Sequence, residues 1–188
     1  MNARPPKTKV SYDLPATIKA IQTGWLTTFQ TASVISALLA VIESILLFLI
    51  HGSSSERFDT ENPGGKALLV LNYLAFFFGI SATFSSLLLT DEFGEIHVRA
   101  SQRESALEPL DQVVINEDVS KLLTRYGARR ITGPLIWHWI IMLLGGFLAL
   151  VGQLLLYIWL VEAKPIAIGM SCVTGFALLP LLSIIPSK

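Results

Sequence analysis

The run Thr31-Ala32-Ser33-Val34-Ile35-Ser36-Ala37-Leu38-Leu39-Ala40-Val41-Ile42-Glu43-Ser44-Ile45-Leu46-Leu47-Phe48-Leu49-Ile50 decides the fold. It closes an apolar stretch that begins at Gly24 and carries one charge, Glu43. A helix rises about 1.5 Å per residue, so roughly 20 apolar residues cross a hydrocarbon core of ~30 Å. Three further stretches reach that length: Ala67–Thr90, Ile131–Val161 and Pro165–Pro186. None shows the period-two alternation of barrel strands. Every backbone N–H and C=O inside lipid must be satisfied within the protein, which leaves helices as the reading. The first stretch starts too late, and is too long, for the ~7–15-residue apolar core of a cleaved signal, so it reads as a permanent span. The expectation is an all-α integral membrane protein, a four-helix bundle.

Composition agrees. Of 188 residues, 52% are hydrophobic and 15% charged, and mean hydropathy is +0.59. A soluble domain carries about a quarter charged residues. The formal net charge is zero, so bulk charge calls for no nucleic-acid partner. The one cysteine, Cys172, excludes an intramolecular disulfide and any Cys-rich zinc site.

Orientation follows from where Lys and Arg fall. Arg4, Lys7, Lys9 and Lys19 lie in segment 1–23 or just before the first span. Arg99, Arg103, Lys121, Arg125, Arg129 and Arg130 lie in the loop 91–130, and Lys188 in the tail 187–188. The outer loop 51–66 holds only Arg57 and Lys66, and the hairpin 162–164 only Lys164. The basic side is cytoplasmic by the positive-inside rule, which predicts both termini inside. Trp25, Trp137 and Trp139 at one set of span ends, and Tyr157 and Trp159 at the other, suit the headgroup level.

The 91–130 loop is the largest polar segment and is too short for an independent domain. Ile115, Val119, Leu122, Leu123 and Tyr126 recur with helical period, predicting a short amphipathic helix over about 116–126, with Asn116 as its cap and Gly127 at its end. Such a helix lies on the membrane or bundle surface; the sharper alternative is docking of a cytosolic partner. The charges from Asp91 to His97 are expected to end the second span and face water.

Glu43 is the leading candidate for chemistry. A carboxylate about 10 Å deep costs on the order of 2–3 kcal/mol even on the lenient insertion scale, so it must face the interior and find partners. Asn72, Gln153, Ser171 and Thr174 fall at matching depth in the other spans, predicting one intramembrane polar layer with Glu43. That layer reads either as a hydrogen-bonded clasp fixing helix register or as an ion or proton site. Stripes of small residues (Asn72, Ala75, Gly79, Thr83, Ser86 and Thr90; Gly145, Ala149, Gly152 and Gln153; Gly169, Ser171 and Gly175) predict close helix packing.

His51, His97 and His138 lie too far apart along this topology to meet at one metal, and no H-E-x-x-H spacing, P-loop or nucleophile elbow occurs. No catalytic, cofactor or metal-ligating residue is therefore assigned, and enzymatic activity is not expected. The remaining functional readings are a non-catalytic tetraspan organiser or accessory subunit, and an oligomeric cation channel or carrier with Glu43 in its path. Lipid is the implied partner, with a second copy or another membrane protein beside it; plasma membrane and endomembrane are not distinguished.

The segment Thr83-Phe84-Ser85-Ser86-Leu87-Leu88-Leu89-Thr90-Asp91-Glu92-Phe93-Gly94-Glu95, followed by Val98-Arg99-Ala100-Ser101, resembles a recurring segment of four-span membrane proteins from basidiomycete fungi. The resemblance covers the second span and the start of the middle loop, and implies a membrane location without a particular activity.

Overall fold

The computed structural model describes residues 13–52, 62–103, 124 and 126–182. They form an all-α bundle of four principal helices: α1 (Ala16–Gly52), α2 (Pro63–Gly94), α4 (Thr132–Val161) and α5 (Lys164–Leu182), with a short α3 (Ile96–Arg103) directly after α2. Helices α1, α4 and α2 (with α3) are long and apolar enough to cross a membrane; α5 is a shorter apolar helix of 19 residues. The protein is thus an integral membrane protein. Most of the 116–126 segment expected to be amphipathic, the outer part of the 51–66 loop, the first dozen residues and residues 183–188 lie outside the described residues.

Local chemistry sets the helix ends. Asn62 supplies the carbonyl for Lys66 N–H at 3.1 Å, and Pro63 occupies the first helical position, where no N–H is needed. Pro134 likewise sits in the first turn of α4, after Ile131 accepts from Leu135 N–H at 3.0 Å. Before α5, Ala163 accepts from Ile166 and Ala167 N–H, and Pro165 lies within the opening turn. At the other end of the chain α1 begins after Pro15, eight residues ahead of the apolar stretch that starts at Gly24. Hydropathy marks where a helix meets lipid; a proline marks where it starts.

The buried faces of the long helices keep a regular period. Along α1 the most buried positions include Ile18, Gln22, Phe29, Ala32, Ser36, Ala40, Glu43 and Ile50, and Gln22, Phe29, Ser36, Glu43 and Ile50 recur every seven residues. Along α2 and α3 they include Gly65, Leu68, Asn72, Ala75, Gly79, Ala82, Ser86, Leu89, Phe93, Ile96 and Ala100, alternating steps of three and four without a break, with Ser85, Glu92 and Ser101 buried beside this row. That is a seven-residue repeat, the pattern of a supercoiled seam. It passes straight through the α2–α3 junction because Glu95 N–H still bonds Asp91 O and Arg99 N–H still bonds Glu95 O, each at 3.0 Å. The expected stripe through Thr83 and Thr90 is only half-buried there; Ala82 and Leu89 hold the seam.

The chain divides into two compact units. Unit 1 takes the first part of α1, the second part of α2, α3 and the start of α4. Its centre is aromatic: Phe29 packs edge-on against Phe93 and Trp139 at centroid distances of 5.3 and 5.1 Å, and stacks with Trp25 at 5.3 Å. Unit 2 takes the rest of α1, α2 and α4, with α5. Here α2 and α4 approach closely: a Cβ on Gly146 would lie 3.3 Å from Phe78 Cβ, and one on Gly145 3.0 Å from the Phe78 ring. Small residues permit that approach in lipid. In α5, by contrast, Gly169 and Gly175 face open space, and among its described side chains Ala167 is the buried one. The glycine stripe expected to pack the fourth span therefore does not do so.

Candidate functional site

Unit 2 contains the buried polar cluster. Glu43 on α1 is 1% exposed, Asn72 on α2 0% and Gln153 on α4 2%. Each sits on the inward face of its helix, at the seam positions described above for α1 and α2. Asn72 Nδ2 donates to Glu43 Oε2 at 3.1 Å, and Gln153 Nε2 donates to the same oxygen. One carboxylate oxygen thus ties three helices together. The other oxygen, Oε1, has no hydrogen-bond partner among the described residues, and neither do Asn72 Oδ1 or Gln153 Oε1.

The two α5 residues expected in this layer are placed differently. Ser171 accepts from Trp159 Nε1 at 3.0 Å and donates to Ala167 O at 2.8 Å. It fastens α5 to α4 at a partly exposed contact. Thr174 is half-buried one turn further on. Of the four residues expected beside Glu43, the bonds to the carboxylate come from Asn72 and Gln153.

Unit 1 holds a second buried carboxylate, which sequence reading sent to water. Glu92 faces inward, its side chain only 10% exposed. Arg99 Nη1 reaches its Oε2 at 2.7 Å, and Arg129 Nη1 its Oε1 at 2.8 Å. Arg99 also pairs with Glu95, one helical turn away, and approaches the Gly127 carbonyl at 3.5 Å. Asp91 and Glu95 are exposed, as expected of helix-end charges. Glu92 differs because the seven-residue repeat brings its side of α2 inward beside Phe93. The Glu95/Arg99 spacing of four was a readable signal; the pairing with Arg129, thirty residues beyond Arg99, was not.

Gly127 makes this arrangement possible. Its φ is +108°, a left-handed conformation that favours glycine, and a Cβ there would lie 2.8 Å from Arg99 Cβ. In the same unit, Gln22 Nε2 on α1 donates to Phe93 O at 2.6 Å, joining α1 to the end of α2. Higher in the same unit, Ser36 and Thr83 hydroxyls bond at 2.9 Å.

The remaining candidates for chemistry are dispersed. Ser81 Oγ lies 3.2 Å from His138 Nε2 at an exposed position, and His97 is half-buried on α3. Among the described residues no group of three or more His, Cys, Asp or Glu could hold a metal ion. Cys172 is exposed on α5. Comparison with protein-family models, with curated proteins and with solved structures finds no match to this chain.

Proposed function

We propose that this chain is a non-catalytic tetraspan organiser or accessory subunit of a membrane assembly. The observation that carries the reading is the closed Glu43–Asn72–Gln153 cluster: its three side chains are at most 2% exposed and bond one another across three helices. In unit 2 these buried polar groups bond helix to helix, the role such groups commonly have in membrane bundles. The apolar faces of α1 and α5 remain outward, with Phe48 and Phe176 among the most exposed side chains, available to lipid or to a neighbouring membrane protein. In this proposal α5 is the fourth span, both termini and the 91–130 loop are cytosolic, and that loop receives a cytosolic partner.

A second reading, an oligomeric cation channel or carrier with Glu43 in its path, draws on the unpartnered Glu43 Oε1. Ion flux into liposomes separates the two, with wild type measured beside Glu43→Gln and oligomeric state checked in the same detergent. Folded protein that carries no common cation supports the accessory reading. Flux that Glu43→Gln abolishes overturns it in favour of the channel. Topology is tested by tags: one in the 51–66 loop should be reached from outside, and tags at the termini or in 91–130 should not.

A further inference from the structure

We propose that Glu43, Asn72 and Gln153 form a buried binding site for one monovalent cation, a proton or a small alkali-metal ion, held by their three unpartnered oxygens.

The argument starts from which atoms are satisfied. Both amides direct an N–H to Glu43 Oε2. That leaves Glu43 Oε1, Asn72 Oδ1 and Gln153 Oε1 as buried acceptors without a donor among the described residues. Buried polar atoms are satisfied in the great majority of cases, and a group of exceptions points to an ion, a water or a chemical role. A clasp accounts for the bonds at Oε2. It does not account for three orphan oxygens on the same three side chains.

All three orphans are acceptors, so the group they require carries positive charge or a donated hydrogen. An oxygen-only donor set suits hard cations and not soft transition metals. Charge decides further. The carboxylate carries one negative charge and the amides none, so one positive charge leaves the cluster neutral. A divalent ion would leave a net charge buried in a medium of low dielectric, where an unpaired charge is strongly disfavoured. Among the described residues the hydrogen-bond partners of Glu43 are the two neutral amides, and the other titratable side chains described in unit 2 (Lys66 and Tyr73 on α2, Tyr157 on α4, Glu162, and Lys164 and Cys172 on α5) are all exposed.

The two occupants share this chemistry and compete for it. A proton on Oε1 turns that oxygen into a donor, able to satisfy one amide carbonyl while Oε2 keeps both N–H bonds. An alkali ion instead draws on the orphan oxygens as ligands and requires the carboxylate to be ionised. Low pH therefore favours the first and displaces the second. The site stands whether or not the protein moves ions: an accessory subunit can hold a structural cation.

The test uses the full chain in detergent. Dicyclohexylcarbodiimide modifies protonated carboxyl groups in apolar surroundings, and mass spectrometry locates the adduct. Modification at Glu43 should be fast at acid pH and slow as pH rises. If an alkali ion binds, sodium or potassium chloride should slow it against choline chloride, by about tenfold at ten times the dissociation constant. Slowing by pH alone assigns the proton as occupant; slowing by sodium or potassium assigns the metal ion. Thermal unfolding gives the second readout, independent of reagent access: the wild-type midpoint should respond to pH, or to sodium or potassium chloride against choline chloride at equal ionic strength, by more than that of Glu43→Gln, which keeps the Glu92 ion pairs and their ordinary dependence on pH and salt. Wild-type and Glu43→Gln midpoints that respond identically to pH and to every salt overturn the proposal, whatever the labelling shows.

Discussion

Glu43 and Glu92 are both buried carboxylates on long helices, and they are held in opposite ways. Glu92 meets two guanidinium groups, one of which, Arg129, is 63% exposed. Among the described residues Glu43 bonds two neutral amides and pairs with no cation. The difference follows from reach to water. Arg99 and Arg129 lie on α3 and just before α4, beyond the apolar stretches, where a guanidinium can be hydrated on one side. Within a span an arginine costs about as much as the carboxylate it would neutralise, so neutral donors take its place. One residue type is thus stabilised by charge pairing at the edge of the apolar region and by amide hydrogen bonding inside it.

Breaking Glu92's pairing should have the largest effect. Arg99→Met leaves a nearly buried carboxylate with one exposed partner and should destabilise the protein by about 3 kcal/mol, the low end for a broken buried ion pair. Unfolding in mixed micelles, wild type against mutant, measures it; a loss under about 1 kcal/mol would show that Arg129 alone suffices, as for ordinary surface pairs.

Glu43 should respond to shape more than to charge. Glu43→Leu strands two amide N–H groups and should cost about 2 kcal/mol. Glu43→Gln keeps a carbonyl for them and adds a donor, and should change stability by less than about 1 kcal/mol in either direction. Equal losses from both substitutions would show that the negative charge itself matters, and the contrast with Glu92 would fall. Gly127→Ala, which forces a Cβ against Arg99 in a left-handed backbone, should cost about 1–2 kcal/mol. Its loss should shrink in the Arg99→Met background if the two act on one arrangement.

The smallest effect belongs to Arg129. Arg129→Met should cost less than about 1 kcal/mol. Raising salt should weaken the wild type more than the mutant, because an exposed pair is screened and the mutant lacks this one. The Glu43 cluster contains no such pair, so stability changes traced to it should not follow ionic strength in general.

These two sites were not equally legible in the sequence. Helix rise is constant, so depth can be counted along each apolar stretch, and counting brought Asn72, Gln153, Ser171 and Thr174 to the level of Glu43. Depth says nothing about direction around the axis. Packing decided that Asn72 and Gln153 turn toward the carboxylate while Ser171 meets Trp159. The helices themselves were readable because lipid demands an unbroken apolar run. Their starts at Ala16 and Pro63 were less so, because proline and asparagine set them in segments that carry little hydropathy. The Glu92 cluster was hidden for another reason: it depends on a long-range contact with Arg129 and on a glycine turn, and neither leaves a periodic trace.

The seven-residue seam running from Gly65 to Ala100 also constrains how this chain can change in length. Deleting one residue from the middle of α2 turns everything beyond it by about 100°. Leu89, Phe93 and Ile96 would leave the interior together, and Glu92 and Arg99 would rotate away from Gly127 and Arg129. Removing seven residues restores the facing to within about 20° and shifts it only along the axis. Viable descendants of this sequence should therefore vary in α2 by substitution, and gain or lose residues there in whole heptads.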